Sequence, residues 1–304
     1  GTYVAPLQKN FEKTVVHPDG MLHTNYNTYF AETGRISADD PNVTNYPKRD
    51  EEMKEVRRTV AAEKGKKILA FDYGQIQARI IAMFSKDKNF VKALWERYDI
   101  HQEWTERLAH AYPARIGGKK MLTDKKAMKD FRTDIKNAWT FPLFFGAKLE
   151  SAAGCLNIPV DRVRPEYNAF WRQFAGVKQW QEKVLKFYRE YGYTECLTGR
   201  RRHGPMSLNQ IINSPVQGTG GDLLLMAVGT LTPKLDQTEV LLVGDIHDAL
   251  LVQVKRDVWE KWATYILDIL ENPPGLKKFN VKPPIPLKAE CKAGYYWSTG
   301  VEWR

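Results

Sequence analysis

Three cysteines in 304 residues, Cys155, Cys196 and Cys291, are too few and too scattered for a disulfide framework, and no CxxC pair exists for a zinc knuckle. Thiols of this kind fit a reducing compartment. No apolar run approaches the roughly 18 residues of a membrane span. The longest, such as Leu223-Leu224-Leu225-Met226-Ala227-Val228, are short. GxxxxGKS/T, HExxH and GxSxG are all missing, which disfavours a P-loop ATPase, a zinc protease and a serine hydrolase. There is no internal repeat or low-complexity tract, and no secretory leader is read at the start. The first residue is Gly1 rather than Met, which is read as the mark of a processed piece.

What is present is basic charge. Lys and Arg number 46 against 36 Asp and Glu, a net charge of +10, which favours a polyanionic partner. Hydrophobic residues are 43% and charged residues 27%, as in ordinary globular proteins. The length suits about two domains, or one large domain with an insertion.

Residues 1–50 are polar and read as short strands and loops. A helix is expected over about 50–64, closed by Gly65. Lys67-Ile-Leu-Ala-Phe-Asp72-Tyr73 reads as a buried strand ending in an acid, followed at once by a helix from Gln75. Residues 88–195 are mostly helical in pattern, with breaks near Pro113 to Gly118 and Gly154 to Pro159. A helix over 207–230 precedes two strands, 239–244 and 249–255, joined by a turn from Gly244 to Asp248. A helix over 256–271 leads to a Pro-rich, strand-like tail. This order predicts a β-sheet split in sequence by a helical insertion.

Asp72 and Asp248 each end or interrupt an apolar strand, where a carboxylate is costly unless paired or bound to metal. Converging on one sheet, they suit a two-metal phosphoryl displacement; singly, each suits a turn cap. Arg132 and Lys136 are four apart, as are Phe141 and Phe145. A cationic and aromatic helix face suits a nucleotide, and equally a solvated pair above a core stripe. Asn213 and Gln217 are also four apart and are followed by Gly218, Gly220 and Gly221. Amides can read minor-groove acceptors, and glycines allow close backbone approach or plain packing. Gly199-Arg200-Arg201-Arg202-His203 is a basic patch fit for phosphates.

Taken together and in order, these stretches resemble the family A DNA polymerases. Thr33 to Pro47 is similar to TGRxS…DPNxxNxP, Asp72 to Arg79 to DYSQIELR, and Arg132 to Gly146 to the fingers helix. Asn213 to Thr219 resembles NAPMQGT, Ile246 to Asp248 resembles VHDE, and Asp99 to His101 matches a DIH element.

The resemblance implies an α+β right-hand core. Residues 1–95 and 206–304 form an antiparallel palm sheet with helices, and 96–205 form helical fingers. The thumb and exonuclease domain are expected upstream or on another chain. Partners would be primer-template DNA and dNTPs, with no membrane, in an intracellular setting: host cytoplasm for a phage source, or an organelle. Asp72, Asp248 and the Tyr73 carbonyl would hold two Mg²⁺, for which Mn²⁺ can substitute. Arg132, Lys136 and His101 would bind the triphosphate, with Lys136 protonating the leaving group. Phe141 would flank sugar and base, and Phe145 the templating position. Arg35, Asn213, Gln217, His247, Arg200 and Arg201 would contact primer-template.

Three departures from the family pattern stand out. Gln77 replaces a Glu, which predicts retained but loosened sugar selectivity. Ala249 replaces a Glu, with Asp245 the nearby candidate to restore the charge. Position 140 is Thr where the family has its aromatic, so Phe141 and Phe145-Gly146 fit only with one residue inserted after Lys136, absorbed by a π-bulge. A two-metal nuclease and a non-catalytic nucleic-acid-binding module are the competing readings. The nuclease does not explain Arg132, Lys136 and the aromatic face; the binding module does not need both acids and both cations.

Overall fold

The computed structural model describes residues 18–19, 21–46, 57–96, 99–246, 249–297 and 300–303. His247, Asp248 and residues 50–56 of the helix expected over about 50–64 lie outside the described residues.

A five-stranded antiparallel sheet holds the middle of the molecule. Its strands are β3 (Lys66–Tyr73), β6 (Val240–Ile246), β7 (Ala249–Lys255), β8 (Ala289–Gly294) and β9 (Val301–Glu302), in the order β6-β7-β3-β8-β9. Two short hairpin sheets flank it, β1 (Asn25–Asn27) with β2 (Ser37–Asp39), and β4 (Tyr193–Glu195) with β5 (Arg201–His203). The large sheet is drawn from both sides of a long helical stretch, as expected.

Side chains alternate across β3. Leu69, Phe71 and Tyr73 point with Leu250, Val252 and Val254 into the main core. Ile68 and Ala70 face the other way, with Leu251, Ile246, Ala38, Val43, Tyr46 and Trp297. Strand period two puts Asp72 on this second face.

Behind the first face lie α9 (Leu208–Leu231) and α10 (Trp259–Glu271), with α1 (Ile76–Ser85) beside α9. Ser207 and Gln210 form a reciprocal capping box at the start of α9, satisfying two N–H groups that the first turn leaves unpaired. The 24-residue helix is buried over most of its length. Ile80 and Ile81, on α1, are 0% and 1% exposed, and truncating either to Ala would cost about 2–5 kcal/mol.

The insertion comprises α2 (Lys88–Trp95), α3 (Ile100–Ala111), α4 (Lys125–Ile135), α5 (Phe141–Phe144), α6 (Leu149–Leu156), α7 (Val160–Gln173) and α8 (Ala175–Tyr191). Trp104, Trp139, Phe144, Phe170 and Phe174 knit it together by ring contacts of 5.0–6.2 Å.

Two expectations need correction. The helix does not run to residue 64: Ala61 bridges to Tyr296, the Ala62 N–H donates to the Tyr295 carbonyl, and Gly65 turns at φ +83°. Sheet pairing overrides the helical composition there. The strand expected to end at Gly244 continues to Ile246, across a bulge between Leu242 and Gly244.

Candidate functional site

The α3 and α4 pair and the turn that follows place four of the expected residues, His101, Arg132, Lys136 and Phe141, together. Asp99 caps α3 by accepting from the Gln102 N–H at 3.0 Å, and its second oxygen accepts from Arg132 Nη2 at 2.6 Å and Nε at 3.1 Å. Burial works to raise the Asp99 pKa, but the Gln102 amide and the Arg132 guanidinium outweigh it and hold the carboxyl below its ordinary value. His101 lies in the first turn of the same helix. Burial, with help from Lys136 and Arg132 and against Asp99, brings its pKa down to about 4. The imidazole is therefore neutral at pH 7.

Between α4 and α5 the chain makes a π turn over Lys136–Thr140, closed by the Phe141 N–H on the Lys136 carbonyl. This is the extra residue that the sequence spacing required. The turn separates two sets of side chains. Trp139, Thr140, Leu143 and Phe144 are buried, whereas Phe141 and Phe145 are half-exposed and stack at 6.3 Å. The Lys136 ammonium sits 5.3 Å above the Phe141 ring, and His101 meets that ring at 5.0 Å. Among the described residues Lys136 has no ion-pair partner. Two cations and a neutral imidazole beside an accessible ring have the chemistry that suits a polyphosphate carrying an aromatic base.

On the sheet, Asp72 stands opposite Ala249 of β7 on one side and Glu290 of β8 on the other. Directly opposite residues share a face, so Asp72 and Glu290 present two carboxylates together. The Arg57 guanidinium is close enough for Asp72 to oppose the lowering of its pKa by burial. Arg57 is held by stacking at 4.1 Å on Trp297 and by donation to the Tyr46 carbonyl at 3.0 Å. Tyr73 turns its ring inward, where the phenol donates to the Leu270 carbonyl at 2.9 Å, leaving the end of the strand to be shaped by backbone.

These oxygen donors fit a hard divalent cation such as Mg²⁺. Among the described residues no cluster of three or more His, Cys, Asp or Glu forms a metal site; Asp248, the other expected carboxylate, lies outside them. Asp245 does not restore the missing charge. It pairs with Leu250, a main-core residue, and so faces away from Asp72, whereas Ile246 and Ala249 share the Asp72 face.

Gln77 is half-buried in the first turn of α1. Arg79 fixes the β3–α1 turn, with Nε donating to the Gly74 carbonyl at 2.8 Å and Nη1 to the Pro286 carbonyl at 2.5 Å.

On α9, Asn213 and Gln217 are the accessible positions in an otherwise buried run. Two of the glycines that follow admit close packing by other parts of the chain. A Cβ at Gly221 would lie 2.8 Å from the Gly34 carbonyl oxygen, and one at Gly218 would strike the Cys196 sulfur. The loop carrying Arg35 is thereby pressed onto α9 beside Gln217. Arg200 has a positioning task there. Its Nε donates to Asp222 at 2.9 Å, and Nη2 donates to the Gly218 and Thr33 carbonyls at 2.9 and 3.1 Å. Arg201 is the outward member, paired with Glu195 at 2.8 Å and 4.6 Å from the Tyr193 ring. Gly146, at φ +89°, abuts Ile212 and connects the aromatic helix to α9.

Sequence reasoning met Thr140 only as a mismatch of register, and it passed over Glu290 and Arg57. The last two belong to the site only through strand pairing and tertiary contact, which carry no local signal.

The family model for DNA polymerase family A matches residues 1–299. A thermostable DNA polymerase I of Thermus filiformis is 30% identical over 308 residues, 97% of this chain and 34% of the relative. DNA polymerase I of Chloroflexus aurantiacus is 32% identical over 267 residues, 83% of this chain and 27% of the relative. The chain thus spans between about a quarter and a third of these relatives' length. In structure it is similar to the POL domain of Pol1 from M. smegmatis, solved in complex with DNA primer-template and dNTP. The TM-score is 0.80 at 23% identity, over 98% of this chain and 51% of that one, which shows the fold.

Proposed function

The chain belongs to DNA polymerase family A, and we propose that it carries out templated nucleotidyl transfer, adding dNTPs to a primer 3′-OH. Residues 1–95 and 206–304 act as palm and 96–205 as fingers. The observation that carries this reading is the grouping of Arg132, His101, Lys136 and Phe141 around the π turn. Neither a two-metal nuclease nor a passive DNA-binding module needs such a nucleotide surface.

Arg132 and Lys136 neutralise the triphosphate, and His101 adds a neutral donor. Lys136 protonates the departing pyrophosphate. Phe141 packs on sugar and base, Phe145 guards the templating position, and Gln77 crowds the sugar's 2′ side. Arg35, Asn213, Gln217 and His247 follow the primer-template end through its minor groove, where acceptors are nearly the same for every pair. Arg201 takes a backbone phosphate, and Arg200 holds the Arg35 loop in place. Two Mg²⁺, held by Asp72, Asp248 and the Tyr73 carbonyl, would activate the 3′-OH and stabilise pyrophosphate as it leaves. Mn²⁺ has the same preference for oxygen donors and can substitute. Asp72 brings its charge to the strand end, where Arg57 balances it until the cations bind.

The test is an end-labelled primer on a longer template with four dNTPs and Mg²⁺. Products longer than the primer support the reading. Shorter products would favour the nuclease, and retardation without turnover the binding module.

A further inference from the structure

Thr140 is the residue that the π turn adds, and its side chain is 0% exposed. Its Oγ1 lies 2.5 Å from His101 Nδ1 and 3.4 Å from the Lys136 carbonyl oxygen. The hydroxyl has one proton to give. The carbonyl is beyond the usual O–H···O range, and it already accepts the Phe141 N–H that closes the turn. If Nδ1 carried the imidazole proton, the Thr140 proton would be left facing that distant, occupied carbonyl inside the protein. Burying a hydroxyl proton without a good acceptor is unfavourable.

We propose that Thr140 is the positioning residue for His101: its hydroxyl donates to Nδ1 and fixes the ring as the Nε2–H tautomer. That tautomer turns a neutral imidazole into a one-directional donor. The opposite tautomer would present the Nε2 lone pair to an incoming anion. The distinction matters because His101 is uncharged at pH 7, burial having brought its pKa to about 4, so it can contribute a hydrogen bond but no charge. The ring contact with Phe141 at 5.0 Å then sets the plane of the imidazole while Thr140 sets its tautomer. The π turn places Thr140 inward against α3 and at the same time leaves Lys136 and Phe141 on the accessible side. An unbroken α-helix of this sequence would put the hydroxyl about 100° away from its present direction.

The role of Nε2 toward the triphosphate rests on the polymerase reading; the tautomer does not. The experiment therefore reads both. Protein labelled with ¹⁵N at histidine, compared with His101→Asn for assignment, reports which ring nitrogen carries hydrogen in the wild type, in Thr140→Val and in Thr140→Ser. The expected pattern is protonated Nε2 and unprotonated, hydrogen-bonded Nδ1 in the wild type and in Thr140→Ser, with the Nδ1 hydrogen-bond shift lost in Thr140→Val. In primer extension, Thr140→Val should raise the KM for dNTP about tenfold, about what one hydrogen bond supplies, with kcat changed less than about twofold; Thr140→Ser should restore KM. A wild-type His101 protonated on Nδ1 would overturn the proposal, as would Thr140→Val with unchanged Nδ1 shift and KM. A wild type that shows the expected tautomer but extends no primer would sink the polymerase reading and leave the Thr140–His101 pairing standing.

Discussion

Arg132 on α4 and Asp99 at the cap of α3 are joined by a forked contact, both guanidinium donors converging on one carboxylate oxygen at 2.6 and 3.1 Å. The fork sets the spacing of two helices whose accessible edges carry His101 and Lys136. It also holds the arginine in one place, which on the proposed reading lowers the entropic cost of binding a phosphate. The cations that prepare the surface for a polyanion are the same ones that help keep His101 uncharged.

The state of His101 makes folding stability sensitive to acid. In the unfolded chain its pKa is near 6.5, and in the folded protein about 4. Stability from the neutral ring is full above about 6.5, falls as the unfolded state takes up a proton, and is lost by about 4. Urea unfolding at a series of pH values should show a shallower fall between these limits in His101→Gln than in the wild type. Parallel curves would refute this.

Two glycines of α9 should respond in opposite directions. Gly221→Ala brings a Cβ to 2.8 Å from the Gly34 carbonyl oxygen and should destabilise by about 1–3 kcal/mol. Gly229→Ala meets nothing within 4 Å and should stabilise by about 0.5–1 kcal/mol through helix propensity. Thermal unfolding of the two variants checks both signs.

Phenylalanine at 141 offers no hydroxyl to compensate for a missing sugar 3′-OH. The wild type should reject dideoxynucleotides strongly, and Phe141→Tyr should relax that rejection roughly tenfold or more, one buried hydrogen bond's effect. Competition between dNTP and ddNTP in a termination ladder gives the ratio. Efficient termination by the wild type would mean that Phe141 does not meet the sugar.

Gln77 keeps the bulk of a glutamate without its charge. Discrimination between deoxy- and ribonucleotides should persist in the wild type and sharpen in Gln77→Glu, measured as the ratio of kcat/KM values. A wild type that uses both sugars equally would remove Gln77 from the sugar's vicinity.

The parts of the site that were legible in sequence are those with local pattern. Asp72 was visible because an acid ended a buried strand with a helical period directly behind it. The π turn showed as one surplus residue between Lys136 and the Phe-Gly end of the helix. Glu290 and Arg57 were invisible because they reach Asp72 by strand register and by stacking on Trp297. Gly218 and Gly221 signalled close approach without saying to what, and the partner is the loop of Gly34. Ala61 and Ala62 read as helix by composition, but pairing with Tyr295 and Tyr296 outweighs the few tenths of a kcal/mol at stake per residue.

The central claim is that the sheet carboxylate and the helix cations serve one reaction on one nucleotide. Single-nucleotide incorporation opposite a defined template base, in Mg²⁺, tests it with wild type, Asp72→Ala and Lys136→Ala. The account predicts incorporation of the complementary dNTP by the wild type alone, with both variants reduced by at least about 100-fold while primer-template binding is retained. Incorporation by Asp72→Ala at the wild-type rate, or incorporation indifferent to the template base, would contradict it.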